Sequence, residues 1–571
     1  MNFHGRSLRA ARLRAQRGAT AVMAALVTST VALTALVSVD VGYLFFQQRK
    51  LQNIADMAAM AAVQSIPGRV NVAAASAAAN GFLAAGAADR VTPTAGYWDP
   101  TLTPAAPHFS SIVPATAVAN AVQVEARKEN GTFFAGVIAA LRGNSRPVLR
   151  ATAIARVDTT IGISLGTGVA RLSDAGPLNR TLSALLGTTV NLDLASYQGL
   201  ADSAIRLGDL MTELGVGTVD DLINLDTHLP RLLDAALTVA ARQSLLRGSL
   251  ATGGTASALA ASVRDVAVRI AADAGDNAAS VLSIAALLGN KESAADAAIN
   301  LLDLITTAAQ VANARAGIQI DNLGIDLGPL ASVMVSTRIV TPPVMAIGPA
   351  GKVQTGPRVG QWYAEAHSAA ARVRLVIKVL NVGIAGITLP VEIEVAPGTA
   401  WAADAQCAVP RTNSSVSIGV DTGIATACIA QLPAIGTTYT CSALPKARIL
   451  TLLIAGIDAK ISVPLTATTQ TVTFSGSELG TTKTVGTNSV GQALANALFG
   501  SGSIALDVVA LGIPLPLVGD VIGTVLRPAL YPVLLALDPI LQPVLALLGI
   551  QIGISDVKLE SISCNRPVLV F

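Results

Sequence analysis

Residues 17–63 read RGATAVMAALVTSTVALTALVSVDVGYLFFQQRKLQNIADMAAMAAV, and this stretch decides how the chain begins to fold. From Ala19 through Leu26 and Leu33 to Val39 no charged residue occurs. About twenty uncharged residues suffice for an α-helix to cross the hydrocarbon core of a bilayer. Asp40 ends the uncharged run, yet the helical pattern continues beyond it. Leu51, Ile54/Ala55, Ala58 and Ala61/Ala62 recur at three- and four-residue intervals as one apolar stripe. Gln47, Arg49, Lys50, Asn53 and Asp56 occupy much of the remaining surface, and Pro67-Gly68 breaks the pattern. The stretch predicts one rod from Ala19 to Val63, half in lipid and half packed on the chain's own first outer domain.

Charge orients the rod. Arg6, Arg9, Arg12, Arg14 and Arg17 precede the apolar run, and no acid occurs before Asp40. Basic flanks stay cytoplasmic, which places residues 1–18 inside and the chain after Asp40 outside. A cleaved secretory signal has an apolar core of about 7–15 residues. The core here is longer and runs on into helix, so residues 19–46 read as a retained anchor. At about 1.5 Å per residue, Asp40 falls about 30 Å from Ala19, at the outer interface and within reach of water. Tyr43, Phe45 and Phe46 follow at the depth of an interfacial aromatic belt.

Composition bounds the rest. Over 571 residues, 52% are hydrophobic and only 13% charged, which favours folded cores over disorder and allows roughly two to four domains. Aromatics make up 3%, so those cores are built from small aliphatic groups. The net charge is +3, and the five tail arginines exceed it, which gives no support for nucleic-acid binding. All four cysteines, Cys407, Cys428, Cys441 and Cys564, lie late in the chain. An even count in an exported region predicts two disulfides, with three pairings open. Zinc ligation is disfavoured by the absence of C-x-x-C spacing and of a nearby histidine.

Residues 47–158 read as the rod's outer half followed by a small strand–helix–strand unit. A Pro-rich loop (Pro93 to Pro114) precedes a strand at Ala121–Glu125. A short helix opens at Thr132 and ends at Gly143, and a second strand spans Pro147–Val157. Residues 159–571 read as one large exported domain. It is helix-rich over 180–316, including Leu200–Leu214 and the Ala-rich Ala256–Ala316, then strand-rich over 317–475. Arg372–Val379 and Val391–Val395 carry the period-2 alternation of half-solvated strands. An apolar helical region, 490–550, and a cysteine-containing C-terminal strand complete it. Val521–Ile550 contains Arg527, Asp538 and the prolines Pro528, Pro532, Pro539 and Pro543, which predicts short packed or surface-lying helices and not a second span.

Catalytic patterns are thin. Gly162-Ile163-Ser164-Leu165-Gly166 matches the G-x-S-x-G elbow, with His228 or His367 as conceivable bases, but needs a strand–turn–helix setting. Asp421-Thr422-Gly423 is a single copy where aspartic catalysis needs two carboxylates, and reads as a turn. The histidines His4, His108, His228 and His367 are scattered. Gly166-Thr167-Gly168 lacks the third glycine of a dinucleotide fingerprint. Gly351-Lys352 has Ala346 where a P-loop needs its first glycine, and Val353 where it needs Ser or Thr.

Arg17-Gly18-Ala19, the apolar helix, Asp40-Val41-Gly42 and then Leu51-Gln52-Asn53-Ile54-Ala55-Asp56-Met57-Ala58 resemble the N-terminus of TadG-like proteins. These belong to the TadE/TadG group associated with bacterial Flp (tight-adherence) pilus assembly. The family motif falls on Gly18, Asp40, Gly42, Leu51, Gln52, Ala55 and Asp56, with Ile54, Met57 and Met60 departing from the usual alanines and leucine. Related prepilins carry Glu at the fifth position after a cleaved Gly; counting from Ala19 that position is Met23, which argues against a filament subunit. The Asp-x-Ser-x-Ser metal motif that some TadG-like proteins carry is absent.

The resemblance implies a single-pass protein of the bacterial inner membrane with an α+β fold. A pilin-like helix continues the transmembrane helix, and a large mixed exported region follows. It further implies a non-catalytic role in Flp pilus assembly or anchoring, with no cofactor. The partners implied are the membrane and other pilus-assembly or secretion proteins, with no nucleic acid and no small-molecule substrate. The alternatives are an envelope surface-binding protein unrelated to pili, and an envelope hydrolase using Ser164.

Overall fold

A single helix, α1 (Ser7–Val63), runs through the whole of the opening stretch. No proline lies between Ser7 and Val63, and most positions carry good helix formers such as Ala, Leu, Met, Gln and Arg. The helix stops ahead of Pro67-Gly68, after which α2 (Arg69–Ala79) begins. The structure is a computed structural model. It describes residues 7–130, 148–166, 175–252, 254–276, 279–286, 291–326, 331–379, 386–423, 425–451, 455–465, 467–486, 490–499, 506–510, 513–515, 527–564 and 567–571.

The fold is mixed α/β, with one long apolar N-terminal helix and a large β-rich remainder. The chain divides into two compact units. One comprises Met1–Val113, Ala119–Val157 and Pro567–Phe571; the other comprises Pro114–Val118 and Asp158–Arg566.

In the first unit α1 and α2 pack on an antiparallel sheet. Its strands are β1 (Arg90–Trp98), β2 (Phe109–Ser110), β3 (Ala121–Glu129), β4 (Val148–Arg156) and the C-terminal Val568–Leu569, in the order β2-β1-β3-β4-C-terminal strand. The expected strands at 121–125 and 147–157 are β3 and β4, paired from Ala121↔Arg156 to Glu129↔Val148. The expected helix over 132–143 lies outside the described residues.

The expected Pro-rich loop is corrected in part, because Pro93 sits inside β1 opposite Val124. β2 covers only Tyr97 and Trp98 of β1, so Pro93 lies where the strand's other edge is open and its missing N–H costs no ladder bond. The core joins Leu51, Ile54, Ala55, Ala58, Ala59, Ala62 and Val63 of α1 to Val122, Val124, Ala126, Ala151, Ala153 and Ala155 of the sheet. The predicted stripe is therefore buried against its own chain. Alanine on both sides lets the helix approach the sheet closely.

The second unit contains β5 (Thr159–Leu165), α3 (Leu301–Arg315), β6 (Ala370–Val379), β7 (Gly386–Val395), α4 (Val490–Phe499), α5 (Arg527–Leu547) and β8 (Ile554–Cys564) among its elements. A six-stranded sheet runs Thr482–Gly486, β8, β5, Met345–Gly348, Leu282–Ile284, Ala271–Asp273, the last two junctions parallel. A larger sheet is built around β6 and β7, and a four-stranded sheet holds Thr399–Gln406 and Ser415–Asp421. In β6, Ala371, Val373, Leu375 and Ile377 are buried and alternate with Arg372, Arg374 and Lys378, as the period-2 pattern predicts. Helix α3 is buried from Leu301 to Asn313.

Three sequence expectations change here. Leu200–Leu214 is two helices, Leu194–Asp202 and Leu207–Leu214, separated by the strand Ala204–Arg206. Among the described residues, Ala256–Ala316 is helical only at Thr255–Ser262, a short 3-10 turn and α3. Between them Val268, Ala271 and Leu282 enter strands, and Gly275, at φ +93°, turns the chain. Region 490–550 contains a hairpin, Leu506–Ala510 with Ile513–Leu515, besides its helices.

In place of short helices, the proline-bearing stretch forms the single 21-residue α5. At about 100° per residue, Pro528, Pro532, Pro539 and Pro543 fall within about 60° of one another. All the missing N–H groups thus lie on one side, while Leu530, Val533, Leu534, Val544 and Leu545 are buried. Residues 521–526 lie outside the described residues.

Candidate functional site

Helix α1 carries both the candidate anchor segment and the side chains that dock on the edge of β4. Residues 18–39 are exposed without interruption, with Val22, Met23, Leu26 and Leu33 each more than 60% exposed. At about 1.5 Å per residue this bare segment is about 33 Å long, the thickness of a hydrocarbon core. Ala19, Leu26, Leu33 and Val39 all lie in it. Its hydroxyls are satisfied within the helix. Thr28 donates to the Ala24 carbonyl (2.7 Å), Thr34 to Thr30 (3.0 Å) and Ser38 to Thr34 (2.8 Å), so no side-chain donor there needs water. Among the described residues, this helix is the only one long and apolar enough to cross a membrane. Arg9, Arg12, Arg14 and Arg17 lie on its N-terminal turns, and Arg6 lies outside the described residues.

Packing begins at Asp40, which is 4% exposed between the exposed Val39 and Val41. The expected water-facing interfacial charge is thus covered by protein. Further along, Leu51 and Ala55 enter the core, while Gln52 Nε2 donates to the Thr152 carbonyl (3.0 Å) and to Asp56 Oδ1 (2.7 Å). One turn earlier Gln48 Nε2 donates to the Arg150 carbonyl (2.7 Å). β4 is paired on one side by β3, and on the other the C-terminal segment covers only its end, from Ile154 to Arg156. The two glutamines, four apart on the helix, therefore take the free carbonyls two apart on the strand and close an open sheet edge. Gln52, Asp56, Leu51 and Ala55 of the family motif are thus residues that dock the helix. Gly18 and Gly42 stand in open space.

Nearby, Asp89 clips the loop after α2 to β3. Burial raises its carboxyl, but the amides of Ala85, Gly86 and Glu129, with Lys128, outweigh that and hold it below the usual carboxylate range. A half-open pocket among Lys50, Leu51, Ile54, Lys128 and Asn130 has room for a few waters only.

The G-x-S-x-G elbow is not formed. Ser164 lies within β5, 3% exposed, and its hydroxyl donates to Glu560 Oε1 (2.6 Å) with Asp303 Oδ2 at 3.3 Å, so its neighbours are carboxyl groups and not a histidine. An elbow needs its serine on an exposed turn into a helix. His228 Nδ1 meets Asp265 (2.6 Å) at the surface, and His367 belongs to the strand Glu365–His367. Asp421-Thr422-Gly423 is the end of the strand Ser415–Asp421 and the two residues after it, and a Cβ on Gly423 would strike the Ala396 carbonyl. Among the described residues no group of three His, Cys, Asp or Glu could hold a metal ion.

The cysteines resolve the open pairing. Cys407 is joined to Cys564, and Cys428 to Cys441, with Cα–Cα distances of 6.1 and 5.7 Å. The first bond fixes the end of β8 to the body.

Sequence reasoning missed Gln48 and the buried group around Ser164. A glutamine on an amphipathic helix reads as solvated, and Val557-Lys558-Leu559-Glu560 reads as an ordinary half-solvated strand.

Burial raises the Glu560 carboxyl to about 8, and the neighbouring Asp303 adds to this while Lys558 and Ser164 oppose it.

Comparison with known families places the helix-and-sheet unit. Residues 58–155 match the family model described as "Putative Tad-like Flp pilus-assembly". The match covers the end of α1 and strands β1, β3 and β4, and it supports a Tad-family domain in this part of the chain. Residues 174–310 match a second family model, a domain of unknown function. No curated protein and no solved structure matches the chain.

Proposed function

We propose that this chain is a TadG-like, single-pass protein of the bacterial inner membrane that assembles or anchors a Flp-type pilus. Residues 1–18 are cytoplasmic and the body after Asp40 is exported. The observation that carries the reading is the continuity of α1. One unbroken helix supplies a bare apolar segment of bilayer length and, beyond Asp40, the core face of the domain matched to a Tad pilus-assembly family. The role is mechanical. A rigid rod locked to a sheet holds the second unit at a fixed membrane surface, where it meets other pilus or secretion components. Two disulfides suit an oxidising, extracytoplasmic location.

Deletion of the chain is expected to reduce pilus number and surface adherence, and unchanged values would remove the assembly role. A phosphatase reporter fused after Thr160 is expected to be active, whereas an inactive fusion reverses the orientation.

A further inference from the structure

Four polar side chains meet inside the second unit, and the anchoring role uses none of them. Ser164 comes from β5, Asp303 from the first turn of α3, and Lys558 and Glu560 from β8. All four residues are at most 8% exposed. The pairing of β8 with β5 jumps from Leu559↔Ile163 to Ser561↔Gly162, so Glu560 is the extra residue of a bulge. Bulges re-aim side chains, and this one brings the Glu560 carboxyl to Lys558 and Asp303.

Lys558 Nζ lies 3.7 Å from Asp303 Oδ2, 3.8 Å from Glu560 Oε1 and 3.5 Å from the Ala201 carbonyl. A settled charge-assisted hydrogen bond is about 2.7–2.9 Å, so the lysine is in contact with both acids without the short bond that would repay its burial. Asp303 Oδ1, also buried, has no hydrogen-bond partner among the described residues. Glu560 lies against Lys558, and burial together with the neighbouring Asp303 raises its carboxyl, which equips it to pass a proton. A buried ion pair with poor geometry is costly to keep. Reacting groups held in place by a fold reach effective molarities of about 10⁵–10⁸ M. Together these favour condensation of the two side chains over their persistence as ions.

We propose that Lys558 and Asp303 are joined by an isopeptide bond that forms within the folded chain, with Glu560 as its catalytic acid. The Lys558 ammonium passes a proton through Glu560 to the Asp303 carboxylate. The freed amine nitrogen bonds to Asp303 Cγ, and the C–O bond to one carboxyl oxygen breaks. That oxygen, Oδ2, which faces Lys558 and Ser164, leaves as water with two of the three ammonium protons. The nitrogen keeps the third, and Glu560 ends as it began. No oxidant, cofactor or nucleotide is consumed. The bond ties β8 to α3, close to where Cys564 ties the same strand to Cys407.

The test is mass spectrometry on the full-length chain purified from membranes. The intact protein is expected to be lighter by one water than its sequence and disulfides require, and its digest to contain one branched peptide holding Lys558 and Asp303. Glu560→Gln is expected to restore the missing water and yield two separate peptides. Recovery of both peptides unlinked from the unsubstituted protein overturns the bond, and that measurement depends on no variant folding. A branched peptide that persists in Glu560→Gln overturns the role of the acid.

Discussion

At the scale of single residues, the docking of α1 depends on side chains that look interchangeable in the sequence. Gln52 bridges the Thr152 carbonyl and Asp56. Its replacement by Ala leaves a partly buried acceptor unpaired at a net cost of about 1 kcal/mol. Hydrogen exchange along residues 48–63 of the full chain is expected to quicken about fivefold in that variant. Ala58 is fully buried against the alanines of the sheet, so Ala58→Leu forces helix and sheet apart at a cost of about 1–3 kcal/mol; the same exchange measurement checks it. The positions of Leu51, Ala55 and Ala58 were legible because helical periodicity marks a core face directly. The tasks of Gln48, Gln52, Lys558 and Glu560 were not, because a polar residue acquires its role from partners that only the tertiary fold brings near.

At the scale of elements, the two halves of α1 differ in that one is bare and apolar and the other packs on the sheet. Val31 sits near the middle of the bare segment. In Val31→Arg the charge costs about 2.5–3.5 kcal/mol at a helix centre, and the protein is expected to shift from the membrane to the soluble fraction, while Val31→Leu stays with the membrane. Retention of the arginine variant would mean that this segment is not the anchor.

In the second unit Asp226 ties three elements together, receiving Arg269 (3.3 Å) from the strand Ala267–Arg269 and Arg315 (2.9 Å) from the end of α3. Hydrogen bonds from Arg269 and then Arg315 hold its carboxyl below the usual range. A carboxyl lowered by folding stabilises above its unfolded pKa, near 4, and loses that contribution as the pH falls through its folded value. Asp226→Asn is thus expected to lower the urea midpoint at pH 7 by no more than about 1 kcal/mol's worth, since the group is half exposed, and to match the parent protein once the pH is below both values. Elements with one strong local signal, α1 and β6, were legible. α5 was not, because four prolines argue for breaks until their shared face is counted.

At the scale of the whole molecule, the second unit resisted reading because its interior joins segments far apart in the chain. Thr306, Gln310 and Asn313 of α3 suggest a solvated helix, yet they are buried, and Gln310 and Asn313 donate to the carbonyls of Leu547 (3.0 Å) and Leu185 (2.8 Å). The same long separations set how much each disulfide stabilises. Cys407 and Cys564 are 157 residues apart, whereas Cys428 and Cys441 are 13 apart. Loop-closure entropy in the unfolded chain then assigns about 5 kcal/mol to the first bond and about 3 kcal/mol to the second. Replacing both partners of one bond by serine should therefore lower the denaturation midpoint more for Cys407/Cys564 than for Cys428/Cys441. The comparison is made on the full chain in detergent, with peptide mapping to verify the surviving bond. The reverse order would show that native contacts hold the tail without the long bridge, and that the short bridge fixes a local geometry the surrounding sheet cannot. The expected order means that an oxidising environment is needed to secure β8, the strand that carries Lys558, Glu560 and Cys564 into the body.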